Sequence, residues 1–287
     1  MLTKLGTILG ALHLRRGPSI RTLLAQLSSA DARSRWEAAE ALAAHASEKR
    51  VVEALIDALN DAHPFVRWQA VETLARSQNE HALTLLEAVL STGDVHRHSS
   101  VADALGKLGD RRAAGALGKA LGSRSAEVRC SVAEALAHLA DPATLPGLLG
   151  ALDDTDVHVR RAVVTALGAI GNPEAVPALL PVLEDHHALL RASAANALGK
   201  IADPEAIDPL QRALSDPDPA VKWNAASALG RIADTDTLPL LTPLLQDRTE
   251  VFGVSVAEAA RCAIDNIKQR EANPRHNMAD VHQGPVL

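Results

Sequence analysis

Three tryptophans occupy equivalent places in the sequence, and the residues around them suit a binding surface. Trp36, Trp68 and Trp223 each follow an arginine or a lysine and open a run of small residues, in a chain with two phenylalanines and no tyrosine. A glutamate follows each of the first two by four residues, at Glu40 and Glu72. Indole rings offer a large apolar contact area at little entropic cost, and a neighbouring carboxylate adds charge selectivity. These residue types indicate binding rather than bond making.

Histidines and cysteines are the other residues that could carry chemistry, but their spacing does not support it. Six of the twelve histidines fall in predicted turns, namely His63, His96, His98, His158, His186 and His187. The pairs 96/98 and 186/187 each offer two metal ligands, but we find no nearby cysteine or well-placed carboxylate to complete a set, so we expect no metal site. Cys130 and Cys262 give no disulfide framework, and no adjacent histidine or cation activates Cys130. Without a phosphate loop or a serine–histidine–aspartate set, we predict neither catalytic residues nor a cofactor.

The composition describes an ordered chain without a strong charge preference. Hydrophobic residues make up 47% and charged residues 22% of the 287 positions, and the formal net charge is −6. Nucleic-acid binding normally requires a basic surface, so we expect no nucleic-acid partner. No apolar run reaches the roughly 18 residues that span a bilayer, and no secretory cleavage site follows the N-terminus. We therefore expect a cytoplasmic protein.

An internal repeat organises most of the chain. The same phrase, "RWEAAEAL" in its first copy, returns at a spacing of 32 and then 31 residues, starting at Arg35, Arg67, His98, Arg129, Arg160, Arg191, Lys222 and, in degraded form, Gly253. Each copy predicts two helices, the first with an N-cap and a proline, as in Asp141-Pro142, Asn172-Pro173 and Asp203-Pro204. Further prolines predict a bend inside these first helices, at Pro146, Pro177, Pro209 and Pro239. Such a pair buries its apolar stripe only by stacking on its neighbours.

The stretch "VRRAVVTALGAIGNPEAVPALLPVLED" is similar to the short HEAT-like repeat named after phycobilisome bilin lyases, and the resemblance covers roughly residues 18–265. It implies an all-α fold, a right-handed α-solenoid of about eight HEAT-like helical pairs. We expect three parts: an amphipathic capping helix over residues 1–17, the repeats over 18–270 with a degenerate, capping last copy, and a flexible tail over 271–287. The basic capping helix could instead dock on a partner or a membrane, and we expect membrane contact nowhere else.

In the resembling solenoids, the second helix of each repeat lines a concave groove. Counted from the repeated basic residue as zero, positions 3, 4, 7 and 10 are apolar in nearly every copy and predict the core, whereas positions 1, 2, 5 and 9 predict the groove floor. Position 1 holds every tryptophan, and position 5 holds four consecutive acids. The predicted partner-binding residues are Trp36, Trp68, Trp223, Glu40, Glu72, Asp103, Glu134, Arg161, Lys200 and Arg231.

The same residues have simpler interpretations, which the sequence leaves open. The indoles could cover the seam of a helical pair. Glu72–Arg76 and Asp103–Lys107 could be intrahelical pairs, worth only about 0.2–0.5 kcal/mol each. The repeated basic residue is interpreted as structural, because an aspartate commonly precedes it by four residues. That carboxylate can cap the second helix and pair with the cation, in a ladder that holds neighbouring repeats in register.

The predicted function is a non-catalytic scaffold, assembly factor or chaperone that holds a protein partner in its concave groove. The resemblance also implies an alternative, a lyase or lyase-like chaperone for a bilin-bearing protein, although the aromatic-rich N-terminus of such lyases has no counterpart in this tyrosine-free chain. A more distant alternative is a HEAT-like DNA glycosylase, which uses groove aromatics beside a carboxylate but needs a basic groove. Deoxyhypusine hydroxylase, an iron enzyme of the same repeat class, is excluded because none of the histidines is followed by glutamate.

Overall fold

The computed structural model describes residues 18–77, 79–91, 97–251 and 253–272, and these residues are almost entirely helical. They divide into two compact units, Met1–Leu108 and Gly109–Leu287. Each unit is a stack of helical pairs, so the predicted all-α solenoid of HEAT-like pairs is confirmed. The predicted capping helix over 1–17 and nearly all of the predicted tail lie outside the described residues, and the three-part division stays a prediction.

The first unit has six described α-helices, paired in chain order. They are α1 (Ile20–Gln26), α2 (Ala32–Ala41), α3 (Lys49–Ala58), α4 (Pro64–Ser77), α5 (Glu80–Leu90) and α6 (His98–Leu108), with a 3-10 turn at Leu42–His45. The second helices α2, α4 and α6 pack side by side in one layer. Helices α3 and α5 pack on each other and on their own partners, so they form the second layer.

The second unit repeats this arrangement with five pairs. Its α-helices are α7 (Ala114–Ala120), α8 (Ala126–Leu139), α9 (Leu145–Gly150), α10 (Val157–Ile170), α11 (Val176–Leu179), α12 (Ala188–Ile201), α13 (Ile207–Ala213), α14 (Pro219–Ile232), α15 (Leu238–Leu241) and α16 (Val256–Ala272). Helices α8, α10, α12, α14 and α16 stack in sequence, each with the short helix that precedes it. A hairpin of β1 (Glu250–Val251) and β2 (Val254–Ser255) precedes α16. The last second helix therefore starts at Val256, because Val254 and Ser255 pair as a strand.

The first helices begin as predicted but are shorter than the sequence indicates. Asp141, Asn172 and Asp203 each accept a backbone N–H at the N-cap, and proline follows each of them. Each start is a 3-10 turn rather than an α-helix. In the sixth repeat the chain then forms only the four-residue α11, followed by a second 3-10 segment at Pro181–Glu184. The interior prolines lack the N–H that a continuous α-helix needs, so they break this helix up rather than only bend it.

The core follows the repeat. Positions 3, 4 and 7 of the second helices are buried in all eight copies, with leucine at position 7 from Leu42 to Leu229. Position 2, predicted to face the groove, is buried at Gln69, Ser100 and Ala162, so this part of the prediction is wrong. The physical reason is that a second helix inside a layer has neighbours on both flanks, and position 2 shares a flank with the small residues at position 6.

Backbones of consecutive second helices touch at glycine. A Cβ added to Gly199 of α12 would lie 2.5 Å from the Cβ and 2.7 Å from the Cα of Ala228 in α14. Gly168 meets Ala197, and Gly230 meets Ala263, in the same way. Only hydrogen at these positions permits such a close approach, so the alternation of Ala and Gly sets the spacing of the layer.

The repeated cation forms a ladder between successive turns. Arg191 donates from Nε and Nη2 to the two carboxylate oxygens of Asp216, at 2.7 and 2.8 Å, and from Nη1 to the carbonyl oxygen of Asp185 at 2.9 Å. It therefore joins its own turn to the next one. The same rung recurs at Arg35–Asp61, Arg129–Asp154 and Lys222–Asp247. The three arginines and their aspartate partners are largely buried, with 10–15% of each side chain exposed.

The aspartate four residues before the cation has a different role from the one predicted. Asp31, Asp156 and Asp218 cap their second helices, as expected. The cation pairs instead with the aspartate of the following turn, about 25 residues further on. The predicted register ladder is therefore present, but its partner was wrongly assigned. Both kinds of aspartate accept a backbone N–H, as Asp156 and Asp216 do, so the pairing depends on position. The following turn places its carboxylate edge-on to the guanidinium, where two hydrogen bonds form.

The ladder holds its carboxylates ionised. A side-chain hydrogen bond from Arg129 lowers the pKa of Asp154. Burial alone would raise the pKa of Asp216, but the hydrogen bond from Arg191 and the backbone N–H of Asp218 outweigh it, so the pKa is lowered. Hydrogen bonds from Lys222 and Thr249 lower the pKa of Asp247 to about 2.

None of the helices in the described part of the chain has the length and hydropathy that a membrane crossing requires.

Replacement of Gly199 by alanine should destabilise the second unit, since the new methyl group would overlap Ala228. Overpacking of this kind costs about 1–3 kcal/mol. The matched control is Gly118→Ala, a mid-helix glycine of α7 with nothing within 4 Å of an added Cβ. Both variants gain the same helix propensity, so the difference between their free energies of unfolding in urea measures the overlap. Equal effects would show that the glycine contact does not set the helix spacing.

Removal of a rung should cost far more than removal of a surface pair. Arg191→Ala leaves the carboxylate of Asp216 half-buried without its cation, so we expect a loss of at least about 2 kcal/mol at pH 7. Lys49→Ala breaks the exposed i,i+4 pair with Glu53 and should cost less than about 0.5 kcal/mol. Chemical denaturation of the two variants checks this prediction.

The pH dependence provides a second measurement of the same rung. Because the folded state lowers the pKa of Asp216, its stabilising contribution is complete above the unfolded value of about 3.9 and is lost as the pH falls below it. The gap in stability between wild type and Arg191→Ala should therefore narrow below about pH 4. A gap that stays constant down to acid pH would mean that the arginine stabilises the stack through packing alone.

Candidate functional site

An aromatic pocket lies on the first unit, at the start of two neighbouring second helices. It has a volume of about 420 Å³ and is lined by Ala32, Arg33, Trp36, His63, Phe65 and Trp68. Two of the three predicted tryptophans therefore lie on one pocket. We call this set of residues the aromatic pocket.

The aromatic side chains of this pocket are exposed to an unusual degree. Phe65 is 67% exposed and Trp68 is 51% exposed, while Trp36 is half-buried. The ring of His63 stacks at a tilt on Phe65, with 5.6 Å between the centroids. The Nδ1 atom of His63 is buried and has no hydrogen-bond partner among the described residues. The pocket thus presents a mainly apolar surface to solvent.

Local sequence fixes these rings in place. Asp31 caps α2 by accepting the backbone N–H of Ser34 at 2.9 Å, which sets Trp36 in the second turn. Pro64 starts α4 with the pre-set φ that favours a helix start. Phe65 and Trp68 are three residues apart on α4 and therefore share a face of that helix. The helix starts thus fix the backbone from which the rings project.

The two glutamates that follow the pocket tryptophans differ in their ion pairing. Glu40 and Glu72 each lie one helical turn beyond a pocket tryptophan, on the same face. Glu40 is exposed and forms no ion pair within the described ranges. Glu72 contacts Lys107 of the next repeat and lies 3.8 Å from Arg76. The intrahelical Glu72–Arg76 pair is thus as predicted, whereas Lys107 reaches across to Glu72.

At the pocket, Arg33 donates from Nε to Glu37 at 2.8 Å, so its positive charge is paired within α2. Asp103 on α6 is exposed and lies in the same unit. Among the glutamates of α2 and α4, Glu40 is therefore the one without an ion pair in the described residues, since Glu37 and Glu72 are paired.

The remaining predicted residues lie in the second unit and do not line the aromatic pocket. Arg161 lies 3.8 Å from Glu134, so these two neutralise each other across successive repeats. Lys200 and Arg231 are exposed. Trp223 is half-buried, and its indole N–H is buried without a hydrogen-bond partner in the described residues.

The thiol of Cys130 is not activated. Its Sγ lies 3.9 Å from a carboxylate oxygen of Glu134 and 3.8 Å from the carbonyl oxygen of His158. Burial first, and then the negative charge of Glu134, raise its pKa above the ordinary value. A raised pKa leaves the thiol protonated at neutral pH, which disfavours nucleophilic chemistry.

Three features of these sites were not predicted from the sequence. Phe65 and His63 line the aromatic pocket, and the i,i+3 spacing of Phe65 and Trp68 could have indicated it. The expectation that no carboxylate accompanies His186 and His187 is wrong, because Asp185 lies within reach of both rings. Its adjacency to them in the sequence was the available signal.

Comparison with known sequences agrees with this architecture. The HEAT repeats family model matches residues 20–106, 114–198 and 176–260. The model of the PBS lyase HEAT-like repeat matches residues 99–123. No curated protein sequence matches the chain.

Among solved structures, the Escherichia coli protein YibA is 19% identical, with a TM-score of 0.60 over 88% of this chain and 93% of that one. Kap95p, in a structure with RanGDP, is 14% identical, with a TM-score of 0.62 over 91% of this chain and 42% of that one. At these identities the likeness shows the fold alone. The CpcE–CpcF complex of phycocyanin lyase from Nostoc sp. PCC7120 is 26% identical over 88% and 97% of the chains, but its TM-score is 0.43.

The HEAT repeats model covers most of the chain, and the described helices form the stacked pairs that define this fold. The protein is therefore a member of the HEAT-repeat family.

Proposed function

We propose that the protein is a non-catalytic scaffold, acting in the cytoplasm as an assembly factor or chaperone that binds a protein partner through the second-helix face of its first unit. The observation that carries this proposal is the aromatic pocket. The chain has three tryptophans and two phenylalanines, and three of these five rings surround one pocket open to solvent. Exposing Phe65 and Trp68 gains nothing for folding, because burial of such rings is what stabilises a fold.

The chemistry of the pocket indicates what the partner presents. Large, rigid indole rings form the centres of protein interfaces, where they fill or form pockets for an apolar side chain. Glu40, one turn away and about 6 Å further along α2, would pair with a basic side chain. The proposed ligand is therefore a partner segment with a bulky apolar residue and a lysine or arginine close to it.

Membership of the HEAT-repeat family supports binding rather than catalysis. HEAT-repeat solenoids bind protein partners, as Kap95p does with RanGDP. The unactivated thiol of Cys130 and the exposed, paired charges of Glu134 and Arg161 offer no nucleophile or general base. We infer that the predicted site residues of the second unit serve its own packing and solvation, and that the first unit carries the interface.

The double variant Trp36→Ala/Trp68→Ala should weaken binding of the natural partner at least about thirtyfold, because buried indoles at an interface centre contribute 2 kcal/mol or more. The partner is first identified by photo-crosslinking from a benzoylphenylalanine at position 65 in the native host. Its affinity for each variant is then measured with purified proteins. Leu240→Ala is the matched control, since Leu240 is 47% exposed but lies in the other unit.

Two outcomes would contradict the proposal. One is a partner that binds the double variant as tightly as wild type, with circular dichroism confirming that the variant is folded. The other is a crosslink from position 65 that is no more specific than one from position 240.

The second candidate function is that of a bilin lyase or a lyase-like chaperone, and the match of the PBS lyase HEAT-like repeat to residues 99–123 is the observation that favours it. That match covers a single repeat, whereas the general HEAT repeats model covers most of the chain. The scaffold is therefore the stronger of the two proposals.

A linear tetrapyrrole distinguishes the two functions. For a scaffold, adding the purified protein to biliverdin should leave the visible absorption spectrum unchanged. The two propionates would need two cations, and the one arginine that lines the pocket, Arg33, already pairs with Glu37. A stoichiometric red shift that disappears in the Trp36→Ala/Trp68→Ala variant would instead establish a bilin site. Serum albumin serves as the positive control for the absorbance change.

A further inference from the structure

The turn before α12 departs from the rule that the neighbouring turns follow. The preceding turn reads Asp154-Thr155-Asp156 and the following one reads Asp216-Pro217-Asp218. In both, the first aspartate binds the ladder cation and the second caps the next helix. The turn at 185–187 keeps the first aspartate but carries two histidines after it.

This departure gives up two stabilising interactions. His187 occupies the N-cap of α12 and makes no side-chain capping bond, whereas Asp156 and Asp218 accept backbone N–H groups at the same place. The ladder rung is also loosened, because Arg160 reaches Asp185 only at 3.8 Å from Nη2. At the rungs on either side, two nitrogens of the arginine lie within 2.8 Å of the carboxylate. Folding alone does not account for the two histidines.

The side chains of this turn converge on one point. The Nδ1 atoms of His187 and His186 lie 3.1 and 3.4 Å from the same oxygen, Oδ1 of Asp185. The three ligand atoms all lie within 4.8 Å of one another. With metal–ligand bonds of about 2.0–2.1 Å, the edge of a tetrahedron around zinc is about 3.3 Å. Both nitrogen–oxygen separations are close to that edge.

We propose that Asp185, His186 and His187 bind a divalent transition metal ion of the zinc class. The ion would be held by Nδ1 of each imidazole and Oδ1 of the carboxylate. A neutral ring that coordinates through Nδ1 carries its proton on Nε2, so binding requires the tautomer in which Nδ1 has no proton. The other carboxylate oxygen faces Arg160, so the ladder contact and the metal use different atoms of Asp185.

The surroundings make this an accessible and labile site. The side chain of His186 is 79% exposed and that of His187 is 42% exposed, so a fourth position is open to water or to a ligand from another molecule. Arg191 donates to the carbonyl oxygens of Asp185 and His186 and thus fixes the backbone of the turn. The nearby guanidinium of Arg160 opposes a second cation, so the affinity should be weaker than that of a structural zinc site.

The sequence of the preceding turn provides the variant that tests this proposal. His186→Thr/His187→Asp copies the preceding turn, restores the N-cap aspartate and removes both nitrogen ligands. Untagged full-length protein is titrated with zinc chloride in a calorimeter. Wild type should bind one equivalent, and the variant should bind at least about tenfold more weakly. His158→Thr, which removes an exposed histidine from the first turn of α10, should leave zinc binding unchanged.

Thermal unfolding separates the loss of the site from damage to the fold. Without metal, the turn-copy variant should have a higher Tm than wild type, because it regains the cap. Zinc should raise the Tm of wild type and of His158→Thr, but not that of the turn-copy variant. Zinc binding of equal strength in the turn-copy variant, or none in wild type, would overturn the proposal. The aromatic pocket lies in the other unit, so neither result depends on the proposed scaffold function.

Discussion

The rest of the structure depends on the ion pair between the repeated cation and the aspartate of the following turn. A helical pair of this length is not stable alone, and apolar faces that stack can slide relative to one another. Arg191 prevents this, because its two edges bind two successive turns at once. A shift of the stack by one helical turn would leave both the guanidinium and the carboxylate half-buried without partners. Removing one partner of such a pair destabilises a protein strongly, whereas replacing both partners by apolar residues is often nearly neutral. The pair therefore serves to fix the register of the stack rather than to add to its overall stability.

The close contacts between glycine and alanine set the distance between helices whose register the ladder fixes. Gly199 and Ala228 let two helix backbones touch, which is why the chain needs few large side chains and almost no aromatic ones. In a core of this kind an indole has no room, and position 1 at the edge of the second-helix layer is a place where one fits. The first unit has tryptophan at this position in two consecutive repeats, and Phe65 adds a third ring to them. The pocket lies between these rings, at the starts of α2 and α4.

The sequence predicts the elements well, because each of them is local. Periodicity predicted the second helices and their leucine core, and Asp141, Asn172 and Asp203 predicted where the first helices begin. It could not choose between two aspartates for each cation, since one lies four residues before it and another about 25 residues after it. That choice depends on which turn the stacking of the next repeat brings beside the cation, and this contact is not local in the sequence. Position 2 was misassigned because a helical wheel shows which residues share a face but not how many neighbours surround the helix.

Repetition gives a way to separate residues that serve the fold from residues that serve another purpose. Every repeat solves the same packing problem, so the shared residues, such as Arg129 and Asp154, are explained by stacking. A departure that weakens the stack needs a different explanation. The exposed rings of Phe65 and Trp68 are one such departure, and the uncapped start of α12 at His187 is another. Neither improves burial, capping or the ladder, and both place chemically specific groups in solvent. Both features reduce stability relative to the neighbouring repeats, and a binding partner at each place explains why they are present.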